Sequence, residues 1–232
     1  MLNWYNSFSI TRRSLYKPLD YMNTRFAAST FTTFSNYYSM ELYLAYYTKE
    51  YDYFEPRVDG KMVIYPPHYS SYFWMSSDYR KRFALDFAVS GYFFEDDSYS
   101  GYRTRIEPRF RVNDKLLLVL ENVYDLDNNQ YGYADKSENM DTVYFGRRDR
   151  TTIENTLISD YAFNNKTTLS FRLRHYWSRV KYNNFMYLED DGHLSNAPGF
   201  STDNQNYNAF NIDMVYTWNF APGSEMSLVW QN

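Results

Sequence analysis

YRTRIEPRFRV, residues 102–112, decides the fold. Read with a period of two, it sets Tyr102, Thr104, Ile106, Pro108, Phe110 and Val112 on one face. Arg103, Arg105, Glu107, Arg109 and Arg111 fall on the other. Successive side chains of a β-strand point to opposite faces, whereas a helix would scatter these arginines around its circumference. The segment therefore reads as a strand with one apolar and one charged face.

The same period runs outward in both directions. Leu169, Phe171, Leu173, His175 and Trp177 alternate with Ser170, Arg172, Arg174 and Tyr176. Phe210, Ile212, Met214, Tyr216, Trp218 and Phe220 alternate with Asn211, Asp213, Val215, Thr217 and Asn219. Shorter stretches repeat it at 83–90, 40–47 and 153–157, while 115–125 is apolar on both faces at first and its facing stays open. Strands are predicted at 2–12, 23–34, 37–53, 69–79, 82–95, 99–112, 115–126, 142–148, 150–163, 166–182, 184–189, 206–220 and 224–231, with no helix. Asn113-Asp114 and Asn164-Asn165 suit tight hairpins, and Ala221-Pro222-Gly223-Ser224 suits a turn. The connections at 95–98, 127–138 and 189–204 are longer and polar. The expected fold is an all-β antiparallel meander of about 12–13 strands. Residues 1–232 form one domain, part of a transmembrane β-barrel whose closure is left open.

Two contrasts favour a membrane barrel over a soluble sheet. Most predicted strands reach the roughly 9–11 residues needed to cross a bilayer, and short connections alternate with long ones. The in-line arginines also need acids between them, and Glu154, Asp160, Asp86, Asp213 and Glu41 sit on the polar faces of other strands. That pattern suits a lumen lined by charge-paired ladders. Arg103, Arg105, Glu107, Arg109, Arg111, Arg172, Arg174 and Glu154 are the candidate lumen-facing, ligand-binding residues. The competing reading is a solvated sheet face whose ion pairs are each worth roughly 0–1 kcal/mol. Aromatic residues supply the second contrast, with 27 Tyr and 18 Phe. They gather near strand ends at Tyr37-Tyr38, Tyr46-Tyr47, Tyr92-Phe93-Phe94, Tyr176-Trp177, Trp218 and Phe220. Barrel girdles place Tyr and Trp at the two headgroup levels.

Composition closes off other classes. The aromatic load is incompatible with global disorder, and a formal net charge of −4 weighs against nucleic-acid binding. The absence of cysteine excludes disulfides and thiolate chemistry. His68, His175 and His193 lack metal-ligand spacing. Asp125-Leu126-Asp127-Asn128-Asn129 opens like a calcium loop but fails at Gln130 and Lys136. No metal, cofactor or catalytic motif is expected. The cluster Arg147-Arg148-Asp149-Arg150 could bind anions, but internal pairing with Asp149, Glu154 and neighbouring acids is the favoured reading. The first fourteen residues, MLNWYNSFSITRRS, show neither an apolar stretch nor a cleavage site. An outer-membrane protein requires a signal peptide, so an interior piece of a longer protein is expected.

Three stretches carry a family resemblance: FGRRDRTTIENTL at 145–157, KTTLSFRLRHYWSRVKY at 166–182 and NAFNIDMVYTWNFAPGSEMSLVWQN at 208–232. They resemble the C-terminal region of DUF5916 proteins of Bacteroidota; the first hundred residues fit more loosely. The resemblance implies a large outer-membrane barrel preceded by a family 9 carbohydrate-binding-like domain that this sequence lacks. The expected partners are outer-membrane lipid and, through that missing domain, a glycan. The expected role is anchoring or transport in the bacterial outer membrane. The alternatives are a soluble β-sandwich that binds glycans and, further off, a glycoside-acting hydrolase.

Overall fold

Twelve strands form one antiparallel sheet, and two more form a small hairpin beside it, in the computed structural model, which describes residues 2–96 and 98–232. In chain order the strands are β1 (Asn3–Ser14), β2 (Tyr21–Thr33), β3 (Ser39–Tyr47), β4 (Glu50–Asp52), β5 (Val63–Tyr65), β6 (His68–Ser76) and β7 (Phe83–Phe94). They continue with β8 (Ser100–Asn113), β9 (Leu116–Lys136), β10 (Val143–Asn164), β11 (Thr167–Leu188), β12 (Leu194–Asn196), β13 (Gln205–Ala221) and β14 (Ser224–Gln231). The sheet runs β1-β2-β3-β6-β7-β8-β9-β10-β11-β13-β14, with β12 added to β11 and β4–β5 paired apart. It is a meander, and β1 and β14 are its unpaired edges, so the sheet is not closed. Asp97, in the predicted acidic connection 95–98, lies outside the described residues.

Register makes the two faces explicit, because directly opposed residues share a face. Across β7 and β8, Phe83 meets Phe110, Leu85 meets Pro108 and Phe87 meets Ile106. On the opposite face, Asp86 meets Glu107 and Ser90 meets Arg103. Strand β9 follows suit: Leu118 lies beside Phe110 on the apolar face, while Val119 and Asp125 lie beside Arg109 and Arg103 on the charged one. That assigns the facing that the run of leucines left open.

The sequence reading differs from the structure at strand ends and at two apparent breaks. The stretch 37–53 ends as a strand at Tyr47, where Thr48 Oγ1 accepts the Thr24 amide at 2.9 Å and shares a hydrogen bond with the Tyr21 hydroxyl at 2.8 Å. The strands predicted at 142–148 and 150–163 are one strand, β10, and those at 166–182 and 184–189 are one strand, β11. The predicted loop 127–138 is largely the continuation of β9 to Lys136. The supposed breaks, at Asp149 and Asn183, are register shifts rather than ends. Asp149 Oδ1 accepts the Asn129 amide at 2.9 Å, and its Oδ2 accepts Asn183 Nδ2 at 3.0 Å. Asn129 has φ 55°, a left-handed value that Asn tolerates better than most residues. Polar residues that look like turn formers thus hold one bulge across three strands.

The connections sort by end. Those at 34–38, 77–82, 114–115, 165–166 and 222–223 are short and share one end of the sheet. Those at 15–20, 48–67, 95–99, 137–142 and 189–204 share the other and include the two longest. Connection 48–67 carries β4 and β5 and forms an arm. Val63 of the arm is fully buried against Val143, Phe145, Met186 and Leu188, which makes an apolar core at the long-connection end. At the short end, Asp78 accepts Arg80 N, Nε and Nη2 at 3.0, 2.9 and 2.8 Å. The Arg80 guanidinium lies 3.4 Å from the Tyr37 ring centroid, tying two turns together.

Both the bulge and the turn can be tested by substitution. Asp149→Ala removes two hydrogen bonds and should destabilise the fold by about 1–2 kcal/mol in denaturant unfolding, with Asp149→Asn costing less. The Arg80 hydrogen bonds hold the Asp78 pKa down at about 2. A carboxyl lowered by folding adds stability above its ordinary pKa, and that stability is lost as pH falls toward 2. Arg80→Met removes the two side-chain bonds but keeps the backbone one, and should shift the Asp78 midpoint toward 3.8 in a carboxyl-carbon NMR titration and reduce this acid-side loss.

Candidate binding site on the charged face

The candidate residues from the sequence share the charged face but do not converge on one point. Arg103 Nη1 reaches Asp125 Oδ2 at 3.4 Å. Arg109 binds Glu107 and lies 3.9 Å from Asp86, which also accepts the Tyr79 hydroxyl. Arg174 grips Glu154 with two bonds, at 2.7 and 2.8 Å. Arg105 sits between Ala88 and Val123. Arg111 sits beside Leu117, and Arg172 between Ile158 and Asp213. Among the described residues these three arginines make no ion pair. Arg103 and Arg105 share a cleft of about 160 Å³ with Tyr72 and Ser90. Of the other acids expected to interleave, Asp160 accepts the Ser170 hydroxyl at 2.7 Å, and Glu41 lies opposite Trp74.

The most buried charge is Asp127, which the sequence reading assigned to a loop. It is 0% exposed and lies within β9. Arg150 donates to it from Nη2 at 2.5 Å and from Nε at 2.7 Å. The Tyr92 hydroxyl donates to the same carboxylate, as does the Tyr99 hydroxyl at 3.2 Å. Gln130 Nε2 donates to the Tyr99 oxygen at 3.2 Å, and Arg148 Nε donates to Gln130 Oε1 at 2.9 Å. Opposite Asp127 stands Gly101, where an added Cβ would collide with the Tyr92 ring. A glycine inside a strand can mark such a close approach, so Gly101 is a sequence signal that could have pointed here. The calcium-loop pattern is instead half of an ion-pair network, and its second aspartate is committed to Arg150.

Beside this network the arm borders an open cleft of about 340 Å³. The arm contributes Glu50, Glu55 and Tyr65; the β6–β8 side contributes His68, Tyr92, Phe94 and Tyr99; β9 and β10 contribute Gln130, Tyr131 and Arg148. The arm is pinned at several points. Asn23 Nδ2 donates to Glu50 Oε1 at 2.8 Å, the Tyr133 amide to Glu55 Oε1 at 2.8 Å, and the Ile64 amide to the Gly192 carbonyl at 2.9 Å. The Arg57 guanidinium lies 4.4 Å from the Tyr133 ring centroid. The His68 ring is stacked between Tyr47 and Phe94, with centroids at 4.4 and 4.8 Å. Burial raises the Glu50 pKa, and the Asp52 charge adds to the rise. Burial likewise pushes the Tyr99 hydroxyl up to about 12, with the Asp127 charge contributing. The cleft thus offers carboxylates on one wall, a guanidinium on another and aromatic rings around both.

The remaining histidines lie elsewhere: His175 Nε2 is 3.0 Å from Asn208 Oδ1 on the apolar face, and His193 pairs with Asp191 at 3.2 Å in a connection. Arg147 of the basic cluster bonds to the Tyr131 hydroxyl.

The chain belongs to the DUF5916 family, described as a domain of unknown function, whose family model matches residues 1–232. The match extends over the whole chain, including the first hundred residues that resemble the family more loosely as strings. A comparison with curated proteins returns no match.

Asp127 is buried, but the Arg150 side chain that would lose it is 36% exposed and open to water. Asp127→Ala should therefore destabilise the fold by about 1.5–3 kcal/mol in denaturant unfolding, through the loss of hydrogen bonds to a charged group. Asp125→Ala, at the exposed pair with Arg103, should cost below about 1 kcal/mol.

Proposed function

We propose that this chain forms part of the wall of a β-barrel in the bacterial outer membrane, with the apolar face toward lipid and the charged face toward the lumen. The observation that carries the reading is the exposure of the apolar face. Phe8 is 70% exposed and Leu228 66%, and Phe26, Leu44, Tyr69, Ile106, Leu120, Phe210 and Trp230 are exposed with them. A soluble sheet would cover such a surface. The twelve strands make a single sheet, and the other sheet among the described residues is the two-stranded β4–β5 pair at one end, which leaves the exposed apolar face uncovered and argues against a β-sandwich.

Aromatic residues mark two rows on that face. Toward the long connections, Phe26, Tyr46, Tyr69 and Phe93 stand abreast. The row then steps two residues toward the short end at Tyr102 and two more at Tyr124, as the stagger of tilted barrel strands requires. Toward the short connections stand Phe83, Phe110, Phe163, Tyr216 and Trp218. Tyr92, Phe94 and Tyr176 belong to the charged face instead, so only alternate members of the aromatic runs enter the rows. The eight residue steps from Tyr102 to Phe110 span about 27 Å at ~3.4 Å each, or about 20 Å along an axis tilted by ~40°. A lipid-facing band is about 25 Å tall. The long connections would lie on the outer side.

Within this reading the protein anchors or transports in the cell envelope, alongside a carbohydrate-binding module elsewhere in the full protein. The glycan part rests on the family resemblance described above.

Expression of the full-length gene followed by fractionation should recover the protein in the outer membrane, and recovery in the soluble periplasm would overturn the reading. A depth series is a sharper check. Ile106→Arg, midway between the rows, should destabilise the protein in lipid by about 2–4 kcal/mol, and Phe83→Arg, at a row, by about 0–1 kcal/mol. Equal small effects would indicate a water-facing surface.

A further inference from the structure

We infer that the cleft beneath the arm binds a small zwitterion carrying an aromatic ring. Charges of both signs share this cavity but do not meet. Glu55 uses Oε1 to accept the Tyr133 amide, and among the described residues its side chain makes no other hydrogen bond or ion pair. Glu50 accepts from Asn23 and has Arg13 at 3.8 Å, neither of which lines the cleft. Arg148 spends Nε on Gln130, and its two terminal nitrogens make no hydrogen bond or ion pair among the described residues. Carboxylates and a guanidinium thus line one cleft without pairing with each other.

Such an arrangement is complementary to a ligand that carries both signs. Its ammonium would face Glu50 and Glu55, and its carboxylate would face the two free nitrogens of Arg148, whose fork suits a carboxylate. A simple anion would be repelled by the glutamates and a simple cation by Arg148. The rest of the lining selects the body of the ligand. Tyr65 and Tyr99 each lie within ring contact of Tyr131, at centroid distances of 6.4 and 6.5 Å, and Phe94 closes the wall behind them. A volume of about 340 Å³ is at the small end for a ligand pocket, enough for one ring and a short charged tail. The site lies on the charged face, so it stands whether or not the opposite face meets lipid.

The test is binding of L-phenylalanine to the purified full chain, followed by saturation-transfer NMR, beside N-acetyl-L-phenylalaninamide and glucose. L-Phenylalanine should bind saturably, and the capped analogue, which lacks both charges, about tenfold or more weakly. Glu55→Gln keeps the acceptor for the Tyr133 amide and so keeps the arm in place, yet should weaken binding by about tenfold; Arg148→Gln should do the same. Unfolding midpoints matching the parent chain would show that both variants fold. Equal binding of the capped analogue, unchanged binding in both variants, or no binding of phenylalanine overturns the proposal. Binding of glucose without phenylalanine also overturns it and makes the cleft a saccharide site.

Discussion

A strand in this sheet cannot slip by one residue without exchanging its faces, and everything else depends on that constraint. Slippage of β8 would bring Arg103, Arg105, Arg109 and Arg111 to the side of Phe83, Phe87 and Leu118. Arg103 and Arg109 would lose their carboxylates and the phenyl rings their neighbours. Backbone pairing alone does not choose between registers, since every register satisfies the ladder. The choice comes from the side chains, through contrast between the two faces. That contrast is steepest on β7, β8 and β9, where apolar pairs such as Phe87 and Ile106 back directly onto charged ones such as Asp86 and Glu107.

The ion pairs on the charged face differ in kind. Arg103 with Asp125 is open to solvent and adds little. Asp127 is sealed under Tyr92, Tyr99 and Arg150, and each of its hydrogen bonds replaces water that burial removed. An interaction of that sort is costly to break and specific in geometry, so it pins β7, β8, β9 and β10 at one height. The bulge at Asn129, Asp149 and Asn183 lies just beyond it. Together they separate the regular alternation below from the arm-covered region above.

Alternation made most strands legible in the sequence, because arginines and aromatics at strict two-residue spacing fall on opposite sides only of an extended chain. Polarity within strands was harder to read. Asp149, Asn183 and the run from Asp127 to Asn129 have the composition of turns, and only their mutual hydrogen bonds show that they are bulges. The arm was illegible for another reason. Val63 and Tyr65 belong to a three-residue strand, too short to show a period, and their burial depends on Val143 and Met186 far along the chain. The cleft was hidden in the same way. Glu55 and Arg148 are ordinary charged residues until the arm crosses to β9 and β10. Of the eight residues singled out from the sequence, all lie on the charged face and none lines the cleft.

Strand length has a mechanical consequence. Strands β9, β10 and β11 have 21, 22 and 22 residues, while β3 and β6 have 9 each. At ~3.3 Å per residue the tall strands run to about 70 Å and the low ones to about 30 Å. The rim at the long-connection end is therefore slanted like a cut reed. A flexible connection rising from the low side has a stiff wall to lean on, and the arm uses it, docking Val63 and Glu55 against β9 through β11. Unequal heights convert a surface loop into a fixed roof.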